Sequence, residues 1–386
     1  MILPDYQGGS IVNLMASIGE ALGIDPSPHP PLRNLSPATL RESKNLVLLV
    51  LDGLGFNTLN HIGSGGALHQ HLRGPITSVF PSTTATAVTT FLTGLAPQQH
   101  ALTGWHTYFR EIGTIAAVLP FRPRHGGPPL SEAGYSPGAL LGHQAFTERI
   151  QRLSYTVAPQ RIIHSDYNLT FSAGSHRRGY SSLQEMFSEM EVILRENHEP
   201  KFIYAYYPEI DAIGHDHGIG SHKVAAHFNQ LDKAFDRFLS AIQSTDTTLI
   251  VTADHGQIDS NPSRTIELEQ HPALAETLVL PLCGERRAAY CYVHPGKVAQ
   301  FESYVLNEFA HCADLFRSAD LIDQGYFGLG APHPRLWERI GDYTLMMKEN
   351  YTIKDWLLGE RRHVHIGVHG GVSEGEMVVP LIVAGD

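Results

Sequence analysis

Hydrophobic residues form three short, uninterrupted runs that are typical of strands buried on both faces of a sheet. The runs cover Asn45–Leu51, Phe202–Tyr207 and Thr248–Thr252. Apolar residues recur at spacings of three and four over residues 182–196 and 221–242, which predicts amphipathic helices. Buried strands that alternate with helices predict an α/β layered domain in which helices cover a parallel sheet.

Two segments interrupt this alternation. Residues 119–139 are dense in proline and glycine, which predicts a long loop that borders the site. Residues 263–354 contain an apolar stretch, AAYCYV, followed by a helical pattern that begins near Gly296. We therefore expect residues 263–354 to form an inserted α/β cap subdomain, and residues 1–262 and 355–386 to form the core.

Length and composition allow a large buried core. The chain has 386 residues, of which 42% are hydrophobic, so it holds one large domain or two medium ones. Its formal net charge of -11 argues against a nucleic acid scaffold as partner, because binding to that backbone needs a basic face. A phosphate substrate would then need local positive charge, which bound metal ions supply.

Cysteines and apolar segments indicate the compartment. The three cysteines, Cys283, Cys291 and Cys312, form neither a C-x-x-C pair nor an even set, which predicts reduced thiols. The N-terminal residues lack the basic start and apolar run of a signal peptide, and no apolar stretch has the length of a membrane span. We expect a cytoplasmic protein that does not use a membrane.

Each of the three buried runs leads into an aspartate. Asp52 follows the first run directly, Asp211 lies four residues after the second, and Asp254 lies two residues after the third. Ligands of open α/β sheets bind at the carboxyl ends of the strands, where these side chains are expected to meet. Asp52 taken alone also fits a helix cap.

Histidines in a patterned context add further metal ligands. Asp211 and His215 are four residues apart, which places both side chains on one face of a helical turn. His255 follows Asp254, and His369 lies in a glycine-rich segment near the end of the chain. Imidazole and carboxylate ligands together suit zinc, and a catalytic zinc keeps three protein ligands. The three aspartates and three histidines therefore predict two catalytic metal ions.

Neighbouring hydroxyls supply candidate nucleophiles. Residues 79–87 include Ser82, Thr83 and Thr84, and they precede an apolar helical stretch that ends at Thr93-Gly94. A hydroxyl at a helix N-terminus lies beside free backbone N–H groups and the positive end of the helix dipole. The same residues also serve as helix caps, so the local sequence leaves both roles open.

These motifs resemble those of the type I phosphodiesterase/nucleotide pyrophosphatase family within the alkaline phosphatase superfamily. Residues 80–84 (FPSTT) are similar to the family's F-P-T-x-T nucleophile motif, and residues 93–100 to its downstream T-G-L-x-P-x-x-H. Residues 207–218 (YPEIDAIGHDHG) and 252–256 (TADHG) resemble two further blocks that carry metal ligands. The resemblance implies an alkaline-phosphatase-like three-layer sandwich with a mostly parallel central sheet.

The resemblance also assigns roles to individual residues. It implies that Thr84 is the nucleophile and passes through a covalent phospho-threonine intermediate. It further implies two Zn²⁺ ions with separate ligand sets. The first set is Asp211, His215 and His369, and the second is Asp52, Asp254 and His255.

The chain departs from the family where substrates are bound. Residues 86–88 replace the usual P-N-H after the nucleophile, and Trp105 falls about where an asparagine usually donates to a phosphate oxygen. The residues predicted to shape the substrate pocket are Trp105, His106 and Tyr108. Arg122 and Arg124 either meet extra phosphate charge or are ordinary loop residues.

Several functions fit this set of residues. A zinc-dependent phosphodiesterase or nucleotide pyrophosphatase acting on a small phosphate ester or nucleotide-like molecule is the main prediction. Alternatives on the same fold are a phosphomonoesterase, a phosphonate hydrolase and a phosphomutase, the last with Mn²⁺. A sulfatase is disfavoured because no C-x-P-x-R or S-x-P-x-R segment surrounds Thr84. A catalytically silent metal-binding module is the alternative outside enzymes.

Overall fold

A computed structural model describes residues 1–360 and 362–385. Its strands are β1 (Asn45–Leu51), β2 (Leu72–Thr77), β3 (His106–Phe109), β4 (Thr114–Ala117), β5 (Arg122–Pro123), β6 (Leu153–Pro159), β7 (His176–Tyr180), β8 (Lys201–Tyr207), β9 (Thr247–Thr252), β10 (Ile258–Asp259), β11 (Thr265–Glu267), β12 (Cys283–Gly284), β13 (Ala288–Cys291), β14 (Ala313–Arg317), β15 (Tyr343–Met347), β16 (Thr352–Lys354), β17 (Gly367–Val368) and β18 (Val378–Ala384). Its α-helices are α1 (Ile11–Ala21), α2 (Pro37–Arg41), α3 (Phe56–Ile62), α4 (Ala67–Gln70), α5 (Thr84–Thr93), α6 (Pro97–His100), α7 (Pro137–Leu141), α8 (Asp166–Phe171), α9 (Leu183–Arg195), α10 (Glu209–His217), α11 (His222–Ile242), α12 (Pro272–Ala275), α13 (Val298–Tyr304), α14 (Ser318–Asp323), α15 (Leu336–Arg339) and α16 (Glu374–Met377).

The central sheet contains seven strands in the order β2-β18-β9-β1-β8-β6-β7. Strands β9, β1, β8, β6 and β7 run parallel, whereas β18 is antiparallel to both β9 and β2. Every residue of β1, β8 and β9 is buried, so protein covers both faces of the sheet centre. The three predicted strands and the mostly parallel α/β fold are confirmed.

The two predicted helices on this sheet are also confirmed. α9 begins after Ser182, whose hydroxyl accepts a hydrogen bond from the Glu185 N–H, and α11 begins in the same way after Ser221. Phe187 of α9 and Phe238 of α11 pack with their ring centroids 5.1 Å apart. Within the part of the chain that the structure describes, no helix is both long and apolar enough to cross a membrane.

A second seven-stranded sheet has the order β14-β15-β13-β12-β3-β4-β5 and is antiparallel throughout. Four of its strands come from the predicted cap, residues 263–354, and three come from residues 106–123. The two groups meet where Gly284 pairs with His106. The cap as a separate subdomain stays a prediction, but its sheet is completed by the earlier segment. The proline-rich stretch 119–139, predicted as a loop, contributes the short strand β5 and most of α7.

A buried ion pair joins the second sheet to the central sheet. Arg287 immediately precedes β13, and Glu376 lies in α16, directly before β18. The Arg287 Nε and Nη2 atoms donate to the two carboxylate oxygens of Glu376 at 3.0 and 2.9 Å, and both side chains are at most 1% exposed. Glu376 also accepts from the Gly371 N–H at 2.8 Å, next to the segment that carries His369. This pair therefore fixes the position of the His369 segment.

We expect Arg287→Met to destabilise the protein by about 3–5 kcal/mol, because it leaves the buried Glu376 carboxylate without its counter-charge. Urea denaturation at fixed metal content measures the change. Arg195→Met is the matched control, because the Arg195–Glu191 pair is exposed, and it should cost less than about 0.5 kcal/mol. Equal effects of the two substitutions would show that the buried pair does not join the sheets.

Candidate active site

The carboxyl ends of three adjacent strands bring the predicted aspartates together. In the register, Leu51 of β1 lies opposite Tyr207 of β8, and Val50 lies opposite Thr252 of β9. Asp52, Asp211 and Asp254 therefore emerge at one edge of the sheet. Gly53 permits this approach, since a Cβ atom there would lie 2.9 Å from the Asp211 Cα, and its backbone has a φ of +75°.

Asp52, Asp254 and His255 form one buried group. The His255 Nε2 atom lies 3.4 Å from Asp52 Oδ1 and 3.4 Å from Asp254 Oδ2. Asp254 Oδ1 accepts from the N–H groups of Gly53 and His255 at 3.1 and 2.9 Å, which fixes its carboxylate. The predicted second ligand set is therefore assembled in the structure.

Asp211, His215 and His369 form the neighbouring group. His215 Nε2 lies 3.2 Å from Asp211 Oδ2 and 3.3 Å from His369 Nε2, and His369 Nε2 lies 3.9 Å from Asp211 Oδ1. Ligand atoms of Asp211, His255 and His369 also lie within 4.8 Å of one another, so His255 borders both groups. We assign His215 to the group with Asp211 because its Nε2 atom lies within 3.3 Å of both Asp211 Oδ2 and His369 Nε2.

The three histidines are oriented as metal ligands. Each ring places Nδ1 near a backbone carbonyl oxygen, which only accepts hydrogen bonds: Gly367 for His215 at 2.7 Å, Gly256 for His255 at 3.0 Å and Ser82 for His369 at 3.3 Å. Nδ1 must therefore carry the proton. The Nε2 lone pairs then point into the cluster, as in histidines that bind zinc.

The carboxylates also fit bound cations. Asp52 Oδ1 and Asp254 Oδ2 are buried, and neither has a hydrogen-bond partner among the described residues. Burial raises the pKa of Asp52 well above its usual range, and the charges of Asp254 and Asp211 add to this effect. Buried and unpaired carboxylate oxygens beside unprotonated Nε2 atoms require positive charge, which two divalent metal ions would supply.

Electrostatics in the group of Asp211, His215 and His369 favour an ionised aspartate. Burial opposes ionisation of Asp211, but His215 in its protonated form lowers the pKa of Asp211 below the usual range. Burial likewise opposes protonation of His215, but Asp211 raises the pKa of His215 above its usual value. Burial lowers the pKa of His369 well below its usual value, and the neighbouring His255 acts in the same direction. A carboxylate beside a neutral imidazole is the ligand combination that zinc uses.

The structure separates Thr84 from the neighbouring hydroxyls. Ser82 Oγ donates to the Gly371 carbonyl at 2.8 Å, and Thr83 Oγ1 donates to Glu285 Oε1 at 2.7 Å. Thr84 is the first residue of α5, and its Oγ1 lies 3.1 Å from His255 Nε2. Thr83, at the N-cap, makes no side-chain capping bond, so the first N–H groups of α5 remain open to an anion.

A cavity of about 620 Å³ opens beside Thr84 and the group of Asp211, His215 and His369. Of the predicted substrate residues, Trp105 and His106 line it. Tyr108 is not among the described residues that line it: it lies two positions further along β3, and its ring packs against Tyr292 with centroids 5.4 Å apart. The binding roles of all three residues stay predictions.

Of the two predicted arginines, only Arg124 reaches the cavity. Its guanidinium is bound by Asp355 at 2.6 Å and by Glu360 at 2.8 Å, so its charge is already balanced. Arg122 is exposed, and its Nη1 donates to the Gly127 carbonyl at 3.4 Å.

Three residues that the motifs did not indicate hold the site in place. The Tyr206 hydroxyl donates to Asp52 Oδ2, and the Gln257 side-chain amide donates to Asp211. Glu285 accepts from both Thr83 Oγ1 and the Trp105 N–H, the latter at 2.6 Å. Gln257 directly follows the Asp254-His255-Gly256 motif, so its position in the sequence could have indicated a role at the site. No sequence motif indicates Glu285, because its partners lie about 180 to 200 positions away in the chain.

Comparison with known proteins decides the family. The family model described as type I phosphodiesterase/nucleotide pyrophosphatase matches residues 46–371. The chain belongs to this family. Comparison with curated proteins gives no match.

Solved structures share the fold. The murine ectonucleotide pyrophosphatase/phosphodiesterase 5 is 16% identical, with a TM-score of 0.67 over 88% of each chain. The human protein of the same name is 15% identical, with a TM-score of 0.67 over 88% of this chain and 87% of that one. An inactive variant of the murine protein in complex with AMP is 16% identical, with a TM-score of 0.66 over 88% and 87%. These similarities confirm the alkaline-phosphatase-like architecture, and the type I phosphodiesterase/nucleotide pyrophosphatase family supports a phosphoric ester hydrolase.

We expect zinc to raise the Tm of the metal-free protein and EDTA to reverse the change, because a cation relieves repulsion between Asp52 and Asp254. At a zinc concentration about 100 times its Kd, the stabilisation should be about 2.7 kcal/mol. Asp254→Asn should raise the Tm without metal, since it removes a buried charge, and should weaken the response to zinc. Differential scanning calorimetry measures both effects.

The exposed Asp236 of α11 provides the matched control, and Asp236→Asn should leave both the metal-free Tm and the zinc response unchanged. A full zinc response in the Asp254→Asn variant would remove Asp254 from the ligand set.

Proposed function

We propose that this chain is a zinc-dependent phosphodiesterase or nucleotide pyrophosphatase that acts through a covalent phospho-threonine at Thr84. One observation carries the proposal: the Thr84 hydroxyl lies at the uncapped N-terminus of α5 and 3.1 Å from His255, beside six converging ligands. Family membership and the neighbour solved with AMP support a nucleotide-like small molecule as substrate.

The residues that would hold the metals form the two groups described above. Asp52, Asp254 and His255 lie beside Thr84, and Asp211, His215 and His369 lie on the other side of His255. When bound, two zinc ions supply Lewis-acid charge that offsets the negative charge of the phosphate ester and of the attacking and leaving oxygens.

The protein's own groups then account for positioning and for part of the charge stabilisation. Thr84 Oγ1 attacks phosphorus and forms a P–O bond as the bond to the leaving oxygen breaks. The leaving oxygen keeps the electron pair of the broken bond, and the proton of Thr84 passes to solvent, which protonates the leaving group. The open N–H groups of α5 point at the phosphoryl oxygens and carry the positive end of the helix dipole. Water then attacks the phospho-threonine, which restores the Thr84 hydroxyl and releases the phosphate product. The net reaction consumes one water.

Contacts around the nucleophile keep it in place. Thr83 and Trp105 both bond to Glu285, so the segment that leads into α5 and the segment that leads into β3 share one anchor. Burial raises the pKa of Glu285, and its hydrogen bonds with Thr83 and Trp105 oppose this effect. These contacts hold Thr84 at a fixed position, which is the main requirement for in-line attack.

Thr84→Ala should lower kcat/KM on an aryl phosphate diester by at least about 1,000-fold, because the attacking atom is lost. Zinc binding, measured by calorimetry, should be unchanged. Thr84→Ser restores a hydroxyl at the same position and should recover measurable turnover. Full activity in Thr84→Ala would move the attack to Ser82, Thr83 or a water molecule.

Substrate preference separates the diesterase from the phosphomonoesterase alternative. We expect zinc-loaded enzyme to have a higher kcat/KM on an aryl phosphate diester than on the matched monoester, as the family predicts. Trp105 stands about where relatives usually carry a phosphate-binding asparagine. A preference for the monoester would therefore be attributed first to Trp105. A preference for the monoester would reassign the enzyme as a phosphatase. The cytoplasmic location predicted from the sequence stays a prediction.

A further inference from the structure

Glu285 anchors two segments at the nucleophile through only one of its carboxylate oxygens. Its Oε1 atom accepts hydrogen bonds from Thr83 Oγ1 at 2.7 Å and from the Trp105 N–H at 2.6 Å. Its Oε2 atom has no hydrogen-bond or ion-pair partner in residues 1–360 and 362–385. Anchoring therefore leaves the second oxygen of this carboxylate unused.

The unused oxygen belongs to a side chain that lines the cavity of the nucleophile. The wall of this cavity of about 620 Å³ includes Thr83, Thr84, Trp105 and Glu285. Oε2 is not among the described side-chain atoms that are both buried and unpartnered, so it is open to the cavity. Thr83 and Thr84 form the N-terminus of α5, where phosphoryl oxygens would bind. The carboxylate thus places negative charge next to an anion site.

The position of Glu285 is tightly fixed. The His369 segment packs against it so closely that a Cβ atom at Gly370 would lie 2.6 Å from the Glu285 Cβ. Glu285 also directly follows β12, where Gly284 pairs with His106 of β3. Together with the two hydrogen bonds, this packing leaves the side chain little freedom to turn away from the cavity.

Glu285 lies near the metal-ligand groups without belonging to them. Among the described residues, the ligand atoms that lie within 4.8 Å of one another belong to aspartates and histidines. Burial raises the pKa of Glu285, whereas its two hydrogen bonds, and then the charges of His255 and His215, act in the opposite direction. The carboxylate therefore acts on the site through its charge.

Anchoring alone does not require a charged side chain. A glutamine in this position would accept the same two hydrogen bonds through its carbonyl oxygen, which has two lone pairs. Glutamate and glutamine differ only at the second atom, which is open to the cavity. The charge of Glu285 therefore matters for what the cavity binds.

We propose that Glu285 is a specificity-determining residue that disfavours phosphate monoesters at the nucleophile. The inference rests on the proposed function, because it takes the phosphate site to lie at Thr84 and the N-terminus of α5. At pH 8 a monoester carries about two negative charges, since its second pKa is about 6, whereas a diester carries one. The ionised Glu285 therefore raises the free energy of a bound monoester more than that of a bound diester.

The same repulsion acts on the product. Hydrolysis of a diester releases an alcohol and then a monoester, which is the dianion that Glu285 repels. Glu285 therefore weakens the binding of the product and favours its release.

Rates on matched esters test the proposal. The zinc-loaded protein and its Glu285→Gln variant are compared at pH 8 on 4-nitrophenyl phosphate and on its methyl ester. We expect the ratio of kcat/KM for the monoester to that for the diester to rise by about 10- to 100-fold in Glu285→Gln, because a neutral amide replaces the carboxylate. Glu285→Asp keeps the charge but shortens the side chain, so it should lower both rates without raising the ratio.

Binding without turnover gives a second measurement. In the zinc-loaded Thr84→Ala protein, adding Glu285→Gln should tighten the binding of 4-nitrophenyl phosphate by at least about tenfold in calorimetric titration. Metal content is checked after each titration, so that a change in affinity is not a change in zinc occupancy.

Asp232→Asn is the matched control. Asp232 is also a partly buried carboxylate that accepts from two N–H groups, those of Ala67 and Leu68, and it is not among the described residues that line the cavity. Its substitution changes the net charge of the chain by the same single unit and should leave the ratio and the affinity unchanged.

An unchanged ratio, an equal loss on both esters in Glu285→Gln, or a raised ratio in Glu285→Asp would reduce Glu285 to an anchor and overturn the inference. The proposed function would remain intact. Absence of zinc-dependent hydrolysis of both esters by the unsubstituted protein would instead contradict the proposed function, and the binding measurement would still decide the role of Glu285.

Discussion

Repulsion among buried carboxylates at the edge of the central sheet is the constraint around which the site is organised. Asp52 and Asp254 each hold one oxygen that is buried and without a partner in the described chain. Folding brings these charges together, and this is unfavourable unless cations or protons balance them. The surrounding hydrogen bonds from Tyr206, Gly53 and His255 fix the carboxylates but do not neutralise them. A metal ion bound between these carboxylates would therefore stabilise the folded chain.

The rest of the structure delivers the remaining ligands to that edge. His369 comes from a segment near the end of the chain, and its position depends on Glu376, which binds both Arg287 and the Gly371 N–H. The same glutamate lies just before β18 of the central sheet. One buried ion pair thus connects the two sheets and the segment that carries the candidate ligand His369, so packing away from the site helps to set its geometry.

The sequence by itself determined the three strands at the centre of the sheet, the two helices α9 and α11 and the metal-ligand candidates. Apolar runs report burial on both faces directly, and the parallel register then brings Asp52, Asp211 and Asp254 to one edge. Only the tertiary structure decided that β3 to β5 complete the second sheet, that Tyr108 leaves the cavity, and that Glu285 anchors Thr83. Those outcomes depend on pairings between residues about 180 to 200 positions apart, such as His106 with Gly284, and no local pattern encodes such pairings.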